Sequence, residues 1–305
     1  MSTTPATIPP TAAPPSAPDW TPRHLLALLA ANASLALGAW FVRLSDTGPV
    51  AAGFWRLTLA LPVLYLLATR EPASQRRMGP GLLALVIGAG VFFALDLAAW
   101  HFGLVRTKLG NASLFGNSGS LIVMVWGLFV ARRAPRVLEI AAIGAALGGA
   151  ALLMGGSLEI GHANLVGDLF CVLGGVFYAV YIIMLNGARE KLGQYSMLAV
   201  STTASAPVML LVAVAMGEAI WPHNWTPLIA LAISSQLIGQ GFLIYSLRHF
   251  TPLVIGLALM TQPALTATVG WLAFGETLSA TDIVGMVLLA AALALAKAGD
   301  RPAKA

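Results

Sequence analysis

The feature that most constrains this chain is a series of apolar blocks, each long enough to cross a lipid bilayer as a helix. A helix needs about 17–25 predominantly apolar residues to span a hydrocarbon core about 30 Å thick. The alternating pattern of a barrel strand is missing, so the spanning elements are predicted to be helices. The sequence therefore predicts an all-α polytopic membrane protein. Ten transmembrane helices are expected at 24–42, 50–69, 80–105, 110–131, 136–155, 165–186, 195–217, 226–247, 252–274 and 281–298.

Composition excludes the soluble classes. Of the 305 residues, 58% are hydrophobic and 10% are charged, against about 25% charged residues in a soluble domain. A single cysteine, Cys171, excludes a disulfide framework, a thiolate metal cluster and a paired redox motif. The net charge of +5 does not indicate a nucleic-acid partner, because the basic residues are scattered between apolar blocks. No metal or cofactor is expected.

The placement of the basic residues predicts the orientation of the chain. With ten crossings and a cytoplasmic N-terminus, 13 basic residues fall on the inner side and three on the outer side, namely Arg43, Arg106 and Lys108. The positive-inside rule expects this asymmetry when both termini are cytoplasmic. Residues 1–22 are predicted to be a disordered Pro-rich tail without the pattern of a signal peptide, and residues 300–305 a short cytoplasmic tail.

The ten helices divide into two related sets of five, over residues 23–157 and 158–299. A shift of 144 residues lays His101–Leu109 on Tyr245–Leu253, and the helices that follow then coincide in length. Because five is odd, the second copy is predicted to be inverted in the membrane relative to the first. Inverted repeats of this kind leave a central cleft near the midplane, which is typical of transporters.

The segment Tyr245–Glu276 resembles the second-repeat signature of the drug/metabolite transporter superfamily, EamA-type branch. It carries a mid-helix proline, Pro263, and ends in Gly-Glu. Trp55-Arg56-Leu57 resembles the arginine that the family has early in its second helix. The first repeat departs from the pattern, with Gly119 opposite Pro263 and two arginines in place of Gly-Glu. The resemblance covers nearly the whole chain from residue 24 and implies export of small metabolites across a bacterial inner membrane. Within the family the chain is most similar to a bacterial exporter of aromatic amino acids.

Polar side chains at mid-helix positions are the candidates for solute binding, because ionised groups are costly in the membrane. Asp96 lies one helical turn from Trp100 and next to His101. It is a candidate partner for a substrate ammonium or a proton carrier, and the alternative is a structural role near the interface. Gln236 and Gln240 share a helix face, and Gln240 is the repeat counterpart of Asp96. Further candidates are polar or aromatic residues at comparable depth: Asn32, Trp40, Asn111, Asn117, Tyr178, Tyr181 and Gln262.

Three other features are given structural interpretations. Arg56 is expected to snorkel to the surface or to pair with Asp46. Gly144 and Gly148 form a GxxxG pattern that is expected to pack helices within the protomer, with a dimer face as the alternative. Pro263 frees a backbone carbonyl and is a candidate hinge, or equally a packing kink.

The function predicted from these features is secondary transport. The sequence carries no nucleophile or zinc motif of an intramembrane enzyme, no channel filter and no P-loop. The expected solutes are neutral amino acids, with aromatic ones favoured, carried by alternating access. An exporter of lipophilic cations is the runner-up, and a non-transport structural membrane protein is a weaker alternative. The expected partners are the solute and the lipid bilayer, and the choice between monomer and dimer stays open.

Overall fold

A computed structural model describes residues 21–104, 106–107, 115–132, 134–155, 164–274 and 277–299. Asn111, Gly275, Glu276 and most of both predicted tails lie outside these ranges. Within the described ranges the chain is entirely helical and contains no β-strand.

Fourteen α-helices and one π-helical segment make up the described part of the chain. They are α1 (Pro22–Ala36), α2 (Gly38–Leu44), α3 (Pro49–Thr69), α4 (Ala73–Arg76), α5 (Pro80–Leu104), α6 (Ser118–Ala131), α7 (Val137–Gly155), α8 (Leu165–Ala188), α9 (Gln194–Ala215), α10 (Thr226–Leu231), the π-helical segment (Ala232–Gln240), α11 (Gly241–Ser246), α12 (Pro252–Leu259), α13 (Gln262–Phe274) and α14 (Ala280–Gly299).

Each predicted apolar block coincides with helix in the described residues, but the helices fall into two groups by length. Six helical runs are long and apolar enough to cross a membrane by length and composition: 22–42, 49–69, 80–103, 165–188, 194–215 and 226–246. Four shorter apolar helices lie at 118–131, 137–153, 252–265 and 280–296. The protein therefore contains multiple membrane-spanning helices, and ten full crossings remain a prediction.

Proline marks the starts of several helices. Pro22, Pro49, Pro80 and Pro252 each occupy the first position of a helix. At that position the missing N–H has no helical partner to lose and the fixed φ suits the helix. These prolines explain why the boundaries could be read from sequence to within a few residues.

Interruptions divide the first, eighth and ninth of the ten predicted apolar segments. The first is divided at Leu37, between α1 and α2. The eighth passes through a π-helical turn, a form often found at functional sites. The ninth breaks at Met260 and Thr261, immediately before Pro263. The predicted hinge residue thus lies at a real discontinuity of the helix.

The two halves pack through matching pairs of helices. The most extensive contacts between halves join α5 with α8, α7 with α14, α3 with α9, α5 with α9, α6 with α12, and α1 with the π-helical segment. Under the repeat relation the pair α5–α8 corresponds to the π-helical segment with α1. A two-fold relation between the halves produces this reciprocal pattern, and it places a shared interior between α3, α5, α8, α9 and the π-helical segment.

Small residues allow the closest approaches between helices, but not at every predicted position. A Cβ added to Gly119 would lie 2.4 Å from the carbonyl oxygen of Gly175, and one added to Gly149 would lie 2.7 Å from that of Gly285. Of the two glycines in the predicted GxxxG pattern, Gly148 lies against α14, since an added Cβ would be 3.9 Å from Leu288 Cδ1. A Cβ on Gly144 would meet no described residue within 4 Å, because the helix turns Gly149 rather than Gly144 toward α14.

Candidate solute-binding site

A cluster of polar and aromatic side chains occupies the interior between the two halves. The first half contributes residues of α3 and α5, and the second half contributes residues of α8, α9 and the π-helical segment. The outer surfaces of these helices are apolar. The buried polar groups therefore concentrate in this interior. Its members are Arg56, Phe93, Asp96, Tyr178, Tyr181, Thr202, Gln236 and Gln240.

Arg56 is the centre of this cluster, which corrects its predicted structural role. Its side chain is 9% exposed and does not snorkel to the surface. Its Nε donates to Gln236 Oε1 at 3.1 Å, and its guanidinium carbon lies 5.5 Å from the centre of the Phe93 ring. Asp46, the predicted partner, instead accepts hydrogen bonds from the backbone of a remote loop. The pairing of Arg56 with Asp46 is therefore wrong, because α3 turns the arginine inward.

Gln236 and Gln240 both point into the cluster, as their spacing predicted. Gln236 also donates from Nε2 to Thr202 Oγ1 at 2.9 Å, so it connects α3 with α9. Gln240 accepts a hydrogen bond from the Tyr181 hydroxyl at 3.1 Å. Both glutamines are almost completely buried. The π-helical segment that carries them thus supplies the polar contacts of the second half.

Asp96 and Trp100 lie where α5 packs against α8. A Cβ placed on Gly174 would be 3.4 Å from Asp96 Oδ1 and 3.3 Å from the Trp100 backbone nitrogen. Asp96 lies close enough to Arg56, Tyr178 and Tyr181 for its charge to interact with all three groups. The carboxylate therefore belongs to the same cluster as its repeat counterpart Gln240.

His101 is placed differently from Asp96. Its Nδ1 donates to the backbone carbonyl oxygen of Leu97 at 2.6 Å. Since a carbonyl only accepts, this contact fixes the proton on Nδ1. Its Nε2 is buried and has no hydrogen-bond partner among the described residues. Trp100 packs edge-on to the imidazole, with 5.1 Å between ring centres.

Aromatic rings form one wall of the cluster. Tyr181 stacks on Phe93 with 4.6 Å between ring centres, which joins α8 to α5. Tyr178 lies 6.0 Å from Tyr181 on the same side of α8. Such offset stacks hold aromatic side chains rigidly and leave their edges and hydroxyls available for further contacts.

Asn32 and Gln262 meet at the break in the ninth apolar segment. Asn32 Nδ2 donates to the carbonyl oxygen of Ala258 at 2.9 Å, and Gln262 Nε2 donates to Asn32 Oδ1 at 3.4 Å. The Thr261 hydroxyl also donates to Ala258, at 2.6 Å. These side chains satisfy the backbone at the interruption before Pro263, so they hold α1 to the broken helix.

The remaining candidates lie at helix ends or outside the described ranges. Trp40 is half-buried in α2 and stacks on Phe41, with 5.3 Å between ring centres. Asn117 is half-buried at the position before α6, where its carbonyl accepts from the Ser120 N–H at 3.0 Å. Asn111 lies outside the described residues.

Sequence reasoning missed three members of the cluster: Arg56, Thr202 and Phe93. An intramembrane arginine is itself a signal, because such residues usually face a protein interior. Phe93 and Thr202 carry no such signal, since aromatic and hydroxyl side chains are common throughout membrane helices. Among the described residues no group of three or more His, Cys, Asp or Glu side chains is placed to hold a metal ion.

Apolar helices in two packed halves, with a polar cluster between them, define a membrane transporter built from repeats rather than an enzyme. The comparison with known proteins agrees with this class. The chain belongs to the EamA-like transporter family, whose profile matches residues 22–155 and again residues 165–297. The two matches correspond to the two halves of the structure.

Named relatives cover nearly the whole chain. The threonine/homoserine exporter RhtA of Salmonella typhimurium strain LT2 is 29% identical over 280 residues, 90% of each chain. RhtA of Escherichia coli strain K12 is 26% identical over the same share. An uncharacterized transporter of Archaeoglobus fulgidus is 24% identical over 264 residues, 84% of this chain and 90% of the other. One crystal structure shares the fold, with a TM-score of 0.77 at 17% identity, over 90% of this chain and 96% of the other.

Proposed function

We propose that this protein exports small neutral amino acids, with polar ones of the threonine and homoserine type favoured over aromatic ones. The solute occupies the cluster between the halves and is released by alternating access. This proposal revises the preference for aromatic amino acids that the sequence resemblance implied, because the named relatives are threonine/homoserine exporters.

The observation that carries the proposal is the polar cluster itself. Five helical segments from both halves enclose one arginine, one aspartate, two glutamines and two tyrosine hydroxyls. A membrane protein tolerates such groups in its interior where they pair with one another or line a solute path. Their mixture of donors and acceptors suits a small polar solute.

The same cluster disfavours the alternative of a lipophilic-cation exporter. Arg56 is buried beside the only acidic group that the described residues place in the cluster, Asp96. A fixed guanidinium repels an incoming cation, and charges at this depth are weakly screened. Aromatic amino acids remain the second candidate, supported by the stacked Phe93 and Tyr181 rings.

The mechanism follows from the repeat. The two halves rock about their shared interior, and the solute is exposed first to one side and then to the other. The break before Pro263 and the π-helical segment supply the points at which the helices bend. In this proposal both termini lie in the cytoplasm, the orientation that the distribution of basic residues favours.

A substrate panel in reconstituted vesicles tests this function. Purified protein in proteoliposomes preloaded with unlabelled threonine should accumulate labelled threonine by exchange, well above protein-free vesicles. Homoserine should compete strongly, phenylalanine weakly, and tetraphenylphosphonium not at all. Exchange of the phosphonium cation without amino acids would overturn the proposal.

The direction of net transport requires a second measurement. Cells that produce the protein and are loaded with a threonine-containing dipeptide should release threonine faster than cells with the empty vector. Faster net uptake instead of release would contradict export while leaving the substrate class intact.

A further inference from the structure

We infer that Arg56 and Asp96 form the two charged ends of a zwitterion site, with Arg56 binding the carboxylate of the solute and Asp96 its ammonium. The inference rests on the proposed function and names the groups that recognise its substrate class. The unpaired state of both side chains carries it.

Arg56 is the first charged group of the proposed site. A guanidinium has five N–H donors, and the structure pairs only Nε, with Gln236. The two terminal nitrogens donate to none of the described residues, yet neither is sealed within protein. Gln236 is itself held by Thr202. The side chain is thus fixed at its base while its planar fork opens into accessible space.

Asp96 is the second charged group of the proposed site. Its carboxylate accepts no hydrogen bond from the described residues, and it too is not sealed. The side chain is half-buried on α5, and its Oδ1 faces Gly174 of α8, where an added Cβ would lie 3.4 Å away. A buried carboxylate without a partner is costly. A cation in the adjacent space removes that cost.

The charged groups of Arg56 and Asp96 do not form an ion pair. They interact electrostatically, but no nitrogen of Arg56 lies within 4.0 Å of an Asp96 oxygen. Two opposite charges that were only structural would close into a bidentate ion pair, because that geometry recovers most of their desolvation cost. Here the two groups make no direct ion pair, and the charged end of neither is among the sealed, unpaired atoms of the described residues.

An α-amino acid is the solute that satisfies both charged groups at once. Its carboxylate and ammonium sit on one carbon, so it bridges the two ends and presents a planar oxygen pair to the arginine fork. Tyr181 and Gln240, whose side chains are hydrogen-bonded to each other in the same cluster, are the proposed contacts of the solute side chain. A solute with only a negative charge pairs with Arg56 alone, and a solute with only a positive charge pairs with Asp96 alone.

Charge-deleted analogues and matched variants test the inference. Threoninamide lacks the carboxylate charge and N-acetylthreonine lacks the ammonium. Their competition with labelled threonine is measured by exchange in proteoliposomes, and their binding by ligand-induced thermal stabilisation of purified protein. The wild type should prefer threonine over either analogue by about tenfold or more, since a charged hydrogen bond is lost in each case.

Each variant should lose one preference only. Arg56→Gln should bind threonine and threoninamide about equally while it still rejects N-acetylthreonine, and Arg56→Lys should be intermediate because it keeps the charge without the fork. Asp96→Asn should show the reverse pattern. Arg70→Gln, an exposed arginine at the end of the same helix, is the matched control and should behave as the wild type.

Two results would overturn the inference in distinguishable ways. If wild type carries threonine and Arg56→Gln is folded but keeps the preference over threoninamide, Arg56 does not bind the carboxylate, while the proposed function stands. If wild type neither binds nor exchanges any amino acid, the proposed function and the zwitterion site fail together.

Discussion

Glu71 and Glu218 occupy matching positions in the two halves, and each caps the helix that belongs to the other. Glu71 follows α3 and accepts hydrogen bonds from the N–H groups of Tyr195 and Ser196 at the start of α9, at 2.8 and 3.0 Å. Glu218 follows α9 and accepts from the N–H of Ala51 at the start of α3, at 2.8 Å. The two carboxylates thus close opposite ends of one antiparallel helix pair.

These caps predict an asymmetric loss of stability. Glu71 also accepts from the Ser196 hydroxyl at 2.6 Å, so Glu71→Ala should lower the free energy of unfolding by about 1–2 kcal/mol. Glu218→Ala should cost about 1 kcal/mol or less. Melting temperatures in detergent measure both effects. The exposed Glu190→Ala variant is the control, and an equal loss in all three variants would contradict the capping role.

The stacked pair His24 and His249 predicts a loss of stability in acid. Their ring centres lie 3.8 Å apart, and burial, with the nearby charges of His24 and Arg248, lowers the pKa of His249 below its usual value. The unfolded chain then binds a proton more readily than the folded one, so stability should fall as the pH drops through about 6.5.

A variant separates this effect from general acid sensitivity. His249→Phe keeps a ring on His24 but cannot be protonated, so the fall in melting temperature between pH 7.5 and pH 5.5 should be smaller than in the wild type. His223→Phe is the control, because that side chain is 97% exposed. The same fall in wild type and His249→Phe would show that the pair is not the source.

The contact between Gly119 and Gly175 predicts that one added methyl group lowers the stability of the protein. A Cβ on Gly175 would lie 2.2 Å from Ser118 Oγ and 2.7 Å from the Gly119 nitrogen. Gly175→Ala should destabilise the protein by about 1–3 kcal/mol through overpacking. Gly144→Ala is the matched control and should be neutral or slightly stabilising, since nothing lies near it and alanine favours helix. Equal melting temperatures for the two variants would contradict this packing.

Cysteine labelling tests the predicted orientation. Cys171 is buried and can be replaced by alanine to give a background without cysteine. In that background His223→Cys should react with a membrane-impermeant maleimide in intact cells, whereas Arg76→Cys should react only after permeabilisation. Both positions are exposed, so accessibility within the protein does not confound the comparison. The opposite labelling pattern would reverse the predicted topology.

Many features of the site were predictable because they depend on local spacing. Gln236 and Gln240 share a face for any helix-like backbone, and both reach the cluster. Pro263 cannot continue a regular helix, and the chain breaks just before it. The packing roles expected for Arg56 and Gly144 differ from the structure because each depends on how a helix is rotated about its own axis.

The sequence alone determined that this chain lies in the membrane as two related sets of apolar helices. A helix satisfies its own backbone hydrogen bonds, so its length and hydrophobicity can be read locally. Only the tertiary structure decided that Arg56 and Asp96 lie in one cluster within electrostatic range of each other, and that Gly149 rather than Gly144 contacts α14. Uniformly apolar helices give no periodic signal of their inward face, so their rotation is set by partners that lie far away in the chain.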